Sequence, residues 1–402
     1  MFFVPFAICG LKRLSSLKLE GQCIQGLHSS IGEIVGLTSL SLKGCHQLRK
    51  LPDSIGKLRS LLILNLFDTG ITELPDSIGD LKKLEKMNLG FTKIMELRNS
   101  IGGLESLLEL HLWGTEITEL PASIGFLKRL ECLVLAEMPT TINQLSHLRE
   151  LRLGDNRKLE KLPELPATLK HLYFVAETVL GTRGQTSSKW MGESPKGEEW
   201  SLSTDITWPP QLWSLRISCD DPRSLTRLPF SLCRLELGDV KSPIEQPFFS
   251  NLRYLRYMSE LTLFRCWSRE IEFELLASLQ NLTVAECELL VRLSGLSSLG
   301  KLKELKVWNC SQLVEIQDLG EVKSLMELLI KSCSTIKMLQ DLSKLRKLQI
   351  LRLFHCESLQ GLPDIPKTCH PYVHRCPMLG ESVDNYKACE ECRNSDMDVD
   401  GA

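Results

Sequence analysis

The hexapeptide LPDSIG occurs twice in LPDSIGKLRSLLILNLFDTGITELPDSIGDLKKL, residues 51–84. It belongs to a longer beat, and self-similarity at a fixed period constrains a fold before any other feature does. Leu40, Leu64, Met87, Leu110 and Leu133 follow one another at intervals of 24, 23, 23 and 23 residues. Each sits in a frame L-x-x-L-x-L, as in Leu107-Leu110-Leu112, and a small side chain comes three residues after the frame: Cys45, Thr69, Thr92 and Thr115. Far downstream the frame returns at Leu282, Leu305, Leu328 and Leu351, each step 23 residues, followed by Cys287, Cys310, Cys333 and Cys356.

In such a frame the second and third apolar residues alternate inward along a short strand while their neighbours point outward. One strand cannot bury its apolar side alone, so successive units must stack and pair into a parallel sheet. This is the leucine-rich-repeat signature. It predicts an α/β solenoid, a leucine-rich-repeat horseshoe with a parallel concave β-sheet and an irregular, 3₁₀ or short-helical convex side.

The column of small residues lies where the chain leaves the strand and its backbone groups need partners. Thr or Cys there either bonds a backbone group or fills the space between turns. Cys45, Cys266, Cys287, Cys310, Cys333, Cys356 and Cys376 read as a ladder of reduced core thiols, which implies a reducing compartment. Proline after leucine holds the chain extended and offers no N–H. Pro52, Pro75 and Pro121 therefore start the return, Ile55, Ile78 and Ile124 pack back inward, and Gly56, Gly79 and Gly125 suit a turn. Beyond residue 280 the return becomes Cys-x-x-apolar-x-x-apolar-x-x-apolar, as in Cys310, Leu313, Ile316 and Leu319. A three-residue period suits 3₁₀ or polyproline-like segments.

A chain of 402 residues exceeds one compact core. The layout expected is an N-terminal apolar segment (1–10), a regular array of LPxxIG type (11–177) and a polar inserted loop (178–210). A second array of CxxLxxL type with a terminal cap (211–380) and a disordered acidic tail (381–402) complete it. One continuous horseshoe is favoured because both arrays share a frame. Lys plus Arg number 48 against 50 Asp plus Glu, for a net charge of −2. That balance argues against nucleic acid or an anionic membrane as the partner. No apolar run reaches the roughly 18 residues of a membrane span.

The motifs of chemistry are weak. Gly295 to Lys301 matches G-x-x-x-x-G-K, yet Leu302 stands where a phosphate loop needs Ser or Thr. Cys369, His370, His374, Cys376, Cys389 and Cys392 could together supply zinc ligands, but Cys376 already has a place in the ladder and Cys389 and Cys392 fall in the tail. No metal and no cofactor is expected. No nucleophile elbow, H-E-x-x-H or Ser/His/Asp set is present, so no enzyme activity is expected. Asn281 and Asn309 begin glycosylation sequons inside the repeat frame.

LPDSIGKLRSLLILNLFDTGITELPDSIG is similar to cytosolic plant leucine-rich repeats. LKVWNCSQLVEIQDLG and LRLFHCESLQGLPDIPKTC resemble the C-terminal repeats of plant nucleotide-binding disease resistance receptors of the Toll/interleukin-receptor type. The resemblance spans roughly residues 11–380. It implies a cytoplasmic or nuclear recognition module in defence, binding a pathogen effector, a guarded host protein or the receptor's own nucleotide-binding domain. A general cytosolic scaffold of Ras-group type is the alternative. In either case function belongs on the outward strand positions. Aromatic residues recur there, at Phe67, Phe91, Trp113, Phe264, Trp308 and Phe354, with Arg152, Lys306 and Arg352 beside them. These nine are the candidate protein-binding residues. Lateral packing between neighbouring turns is the competing reading of the aromatics.

Overall fold

The computed structural model describes residues 2–3, 13–154, 162–174, 206–244, 248–249, 252–274 and 276–379. The expected tail and most of the expected polar loop lie outside them. Of the N-terminal apolar segment only Phe2–Phe3 is described, as a short strand parallel to Ile24–Gly26. The chain divides into two compact units, Met1–Ala176 with Pro209–Leu212, and Glu177–Trp208 with Trp213–Ala402.

In the first unit the L-x-x-L-x-L frames become short parallel strands. They are Ser16–Lys18, Ser39–Ser41, Ile63–Asn65, Lys86–Asn88, Glu109–His111, Cys132–Leu135, Glu150–Leu153 and His171–Phe174, each paired with the next in chain order. Register sets Leu40, Leu64, Met87, Leu110, Leu133, Leu151 and Leu172 side by side, all buried. Every such leucine is thus covered by the same residue of the coil before and the coil after.

The strands stop because the backbone turns left-handed at one fixed position. Gly21, Gly44, Asp68, Phe91 and Gly114 all have φ between 56° and 72°. The turn keeps the ladder intact for one more bond: Gly44 N–H donates to Phe67 O at 2.9 Å, Asp68 N–H to Gly90 O at 2.8 Å, and Phe91 N–H to Trp113 O at 2.8 Å. Next comes the small-residue column. The hydroxyls of Thr69, Thr92 and Thr115 donate to the carbonyls of Leu66, Leu89 and Leu112 at 2.8, 2.7 and 2.6 Å. Each gives the carbonyl at the strand's end a side-chain donor, and Leu89 O and Leu112 O also accept the backbone N–H of Thr92 and Thr115 at 3.2 and 3.3 Å.

The return is 3₁₀. Turns at Asp53–Lys57, Asp76–Asp80, Asn99–Gly103 and Ala122–Phe126 follow an extended residue, Pro52, Pro75, Arg98 or Pro121. Ile55, Ile78, Ile101 and Ile124 are buried beneath them. The glycines serve a different purpose from the expected one. A Cβ on Gly56 would stand 2.5 Å from Ser77 O, and one on Gly79 would stand 2.5 Å from Ser100 O. Neither has positive φ, so it is close approach of the next coil that excludes a side chain there, not the turn. Gly125 differs, with 3.6 Å of room to Gln144.

The second unit repeats the scheme with strands Ser214–Ser218, Arg234–Gly238, Glu260–Phe264, Asn281–Ala285, Glu304–Trp308, Glu327–Lys331, Ile350–Phe354 and His370–His374. These too are parallel and paired in order. Left-handed residues again close every strand after the first: Asp239, Arg265, Glu286, Asn309, Ser332, His355 and Arg375. Cysteine replaces threonine in the column. The thiols of Cys287, Cys310, Cys333, Cys356 and Cys376 lie 3.3, 3.5, 3.5, 3.4 and 3.5 Å from the carbonyl two residues back. Cys219 is buried too, one position before the column, and all of these are free thiols. On the opposite side, Glu270–Glu272, Arg292–Ser294 and Glu315–Ile316 form a second, three-stranded parallel sheet. The three-residue period does not foreshadow it.

Gly79→Ala should therefore lower stability by about 1–3 kcal/mol, as overpacking does. Gly125→Ala should be neutral or stabilise by up to about 1 kcal/mol, since alanine restricts the unfolded chain. Urea unfolding of the two variants beside the parent measures both.

Candidate functional site

Side chains between the inward leucines project from the free face of each sheet, and the nine candidate residues lie on the strands or, for Phe67, Phe91 and Trp113, two or three residues past a strand end. In the first unit three of them form one stack. The Phe67 and Phe91 ring centroids are 5.3 Å apart at 77°, and those of Phe91 and Trp113 are 4.6 Å apart at 86°. Lys43 Nζ lies 5.3 Å from the Phe67 ring and extends the run to a fourth coil. Small residues make room for the rings. A Cβ on Gly114 would meet Phe91 Cδ1 at 2.8 Å, and one on Gly154 would meet Trp113 Nε1 at 3.0 Å.

Lateral packing between turns is thus real in this unit, and it half-buries Phe67 and Trp113. Phe91 remains 43% exposed at the centre of the stack. Edge-to-face packing holds the rings in fixed orientations, so a partner could meet them with little loss of side-chain freedom.

Arg152 is held as firmly. Its Nε is 2.5 Å from Glu150 Oε1, and its guanidinium lies 5.6 Å from the Tyr173 ring. Tyr173 in turn stacks on His171 at 6.2 Å. Tyr173 and His171 did not figure among the candidates. The frame that carries them, Leu169-Leu172-Phe174, is legible, but it comes 21 residues after Leu151 and so breaks the 23-residue beat.

In the second unit Phe264 and Trp308 stand on alternate strands with Ala285 in register between them. Their rings approach to 6.4 Å across that alanine. Arg265 lies 4.6 Å over the Phe264 ring and bonds Glu286 at 3.0 Å. Lys306 pairs with Glu304 at 2.7 Å, and Arg352 pairs with Glu327. Phe354 is half-buried at the end of its strand, in register with Lys331. The candidates therefore form an aromatic stack and a separate Arg152 contact in the first unit, and a ring pair beside neutralised charges in the second.

Burial sets the protonation of groups in and behind this face. Burial pushes the Cys132 thiol up to about 12 and the Cys219 thiol to about 12, so neither supplies thiolate at neutral pH. His111 is held below its ordinary value, chiefly by burial. Near the C-terminus Cys369 is buried while His370 is exposed, and His374 packs against His355 at 6.1 Å. Among the described residues no cluster of three His, Cys, Asp or Glu could hold a metal ion. Gly295 of the phosphate-loop lookalike caps a 3₁₀ turn, with Leu299 and Leu302 buried in the core.

Two sequence-family models match parts of the chain: a leucine-rich repeat region over residues 86–177, and plant disease resistance protein RPS2-like leucine-rich repeats over residues 251–383. No curated protein matches the sequence. Among solved structures, the chain is similar to the leucine-rich-repeat protein LIC12759 of Leptospira interrogans, with 19% identity and a TM-score of 0.52. That match covers 98% of this chain and 97% of the other. It is also similar to the Toll–Spatzle complex of Drosophila, with 15% identity and a TM-score of 0.56, over 86% of this chain and 51% of that one. Both likenesses establish the leucine-rich-repeat fold.

His111 yields a prediction with a definite sign. Its folded pKa is depressed, so the unfolded chain binds the proton first as pH falls. Stability should be fully present above the ordinary histidine value of 6.5 and should decline as pH falls from there through the lower folded value. His111→Gln should flatten that decline in thermal melts, and other acid-sensitive groups should be left unchanged.

Proposed function

We propose that the chain is a non-enzymatic protein-recognition module which binds its partner through the outward face of its sheets. The observation that carries this reading is the Phe67–Phe91–Trp113 stack, a preorganised aromatic surface rimmed by Lys43 on a face that solvent reaches. Aromatic anchors dominate protein interfaces because they bury large area at small entropic cost. Preorganised rings and self-paired cations favour a specific partner over general adhesion. The Toll–Spatzle complex shows that a leucine-rich-repeat fold can engage a protein.

The finer reading is that this module serves plant defence as the sensing or autoinhibitory repeat region of an intracellular immune receptor. Support comes from the RPS2-like match over residues 251–383 and from the LPxxIG and CxxLxxL styles. Its partner would be a pathogen effector, a guarded host protein or a nucleotide-binding domain of the receptor itself, in the cytoplasm or nucleus. Free thiols throughout the described residues suit such a reducing compartment.

The test is affinity capture from plant cytosol with the full chain and with a Trp113→Ala, Trp308→Ala double variant. The parent should retain a defined protein that the double variant loses at least tenfold, with the circular-dichroism spectrum preserved. Equal retention by both would place the binding surface elsewhere.

A further inference from the structure

The rim from which the chain runs into the sheet strands of the second unit is rich in cations, as its counterpart in the first unit is, but there Lys82 and Arg149 are paired with Glu105 and Glu131. The second-unit segments are LRYLRYM (252–258), LASLQ (276–280), LGKLK (299–303), VKSLM (322–326), LSKLRKLQ (342–349) and PKTC (366–369). An apolar residue turns inward at every third position in most of them, as with Leu342, Leu345 and Leu348. The positions between are left on the surface. Together the six segments hold nine Lys and Arg and no Asp or Glu. All nine cations are exposed. Among the described residues none of them forms an ion pair.

The contrast with the adjoining sheet face makes this pattern informative. Arg234 meets Glu260 at 2.6 Å, Lys306 meets Glu304 at 2.7 Å, Arg216 lies 3.6 Å from Glu236, and Arg352 bonds Glu327. Glu304 and Glu327 follow the rim directly and Glu260 follows it one residue later, and each is already engaged by a cation of the sheet face. The sheet face pairs its cations with its own carboxylates, while among the described residues the rim cations form no ion pair and have only the exposed Glu321 and Asp341 at the borders of two segments. Parallel strands lie about 4.8 Å apart, so the six segments span roughly 24 Å. Tyr254 and Tyr257, 41% and 69% exposed, stand at the end nearest residue 252.

We infer that this rim is a second docking surface, separate from the sheet face, for a protein with a compact acidic face. Like charges at this density repel one another, and complementary charge relieves that repulsion while steering encounter. The net charge of the whole chain favours a protein over a long polyanion. At −2 overall, nine cations on the rim leave the remainder of the molecule net negative. A nucleic acid or an anionic bilayer extending past the rim would meet that repulsion, whereas an acidic face of rim size would not. The exposed tyrosines add the apolar contact that protein interfaces favour.

The test is fluorescence anisotropy on the full chain with three probes at 50 and 200 mM salt. The probes are a twelve-residue peptide alternating Glu and Leu, single-stranded RNA of equal charge, and vesicles containing phosphatidylserine. Two variants separate the surfaces: Lys344→Glu, Arg346→Glu, Lys347→Glu on the rim, and Lys306→Gln, Arg352→Gln on the sheet face. The inference expects salt-sensitive binding of the peptide, weakened at least tenfold by the rim variant and less than twofold by the sheet-face variant. A milder rim variant, Lys301→Gln, Lys303→Gln, should weaken it in the same direction. Peptide binding that survives both rim variants, no peptide binding at all, or tighter binding of RNA or vesicles would overturn the inference. A sheet-face partner lost from the double-tryptophan variant would be unaffected by any of these outcomes.

Discussion

Each coil of this chain can bury its leucines only against the coil before it and the coil after it. That dependence decides nearly everything else. Leu64 and Leu110 cannot be covered by their own repeat, so the repeats must align in register, and register places every outward side chain in a column. The same constraint sets the details of the return. Coils that approach closely enough to bury leucine bring Gly56 and Gly79 against the carbonyls of Ser77 and Ser100, where even a methyl group does not fit.

Where the strands end, the chain must turn without abandoning its hydrogen bonds. Two devices solve this together. A left-handed residue lets the ladder make one more bond to the next coil, and a small donor two steps or less beyond it occupies the space at the turn. Glycine bears the left-handed conformation at Gly44 and Gly114, but Phe91, Glu286, Asn309, Ser332 and His355 adopt it as well. At non-glycine positions that geometry costs about 1–2 kcal/mol, and the repeated ladder bond offsets it. Threonine donates a true hydrogen bond in the first unit. Cysteine in the second makes longer, weaker contacts and contributes more as a compact apolar filler.

Much of this was legible in the amino-acid sequence. A fixed period of 23 residues states which side chains point inward, and so it foretold the parallel strands, the 3₁₀ return and most of the thiol ladder. What it could not convey was distance between repeats. The need for Gly79 is set by a neighbouring carbonyl, not by its own turn. The three-stranded sheet at Ile271, Leu293 and Ile316 forms across coils that a period describes only one at a time. Of the candidate site, the period located all nine residues on the outward face or just past it, but not that Phe91 would sit between Phe67 and Trp113. Tyr173 escaped because its repeat departs from the regular spacing.

Peptide-resolved thiol labelling tests the inter-coil burial most directly. With iodoacetamide under native, reducing-agent-free conditions, Cys23 should react rapidly, whereas Cys219, Cys266, Cys287, Cys310, Cys333 and Cys356 should stay unmodified until the chain is unfolded. After unfolding all six should label fully as free thiols. Native labelling of Cys287, Cys310 and Cys333 at the rate of Cys23, or their recovery as disulfides, would contradict a core built from stacked coils with a reduced thiol column inside.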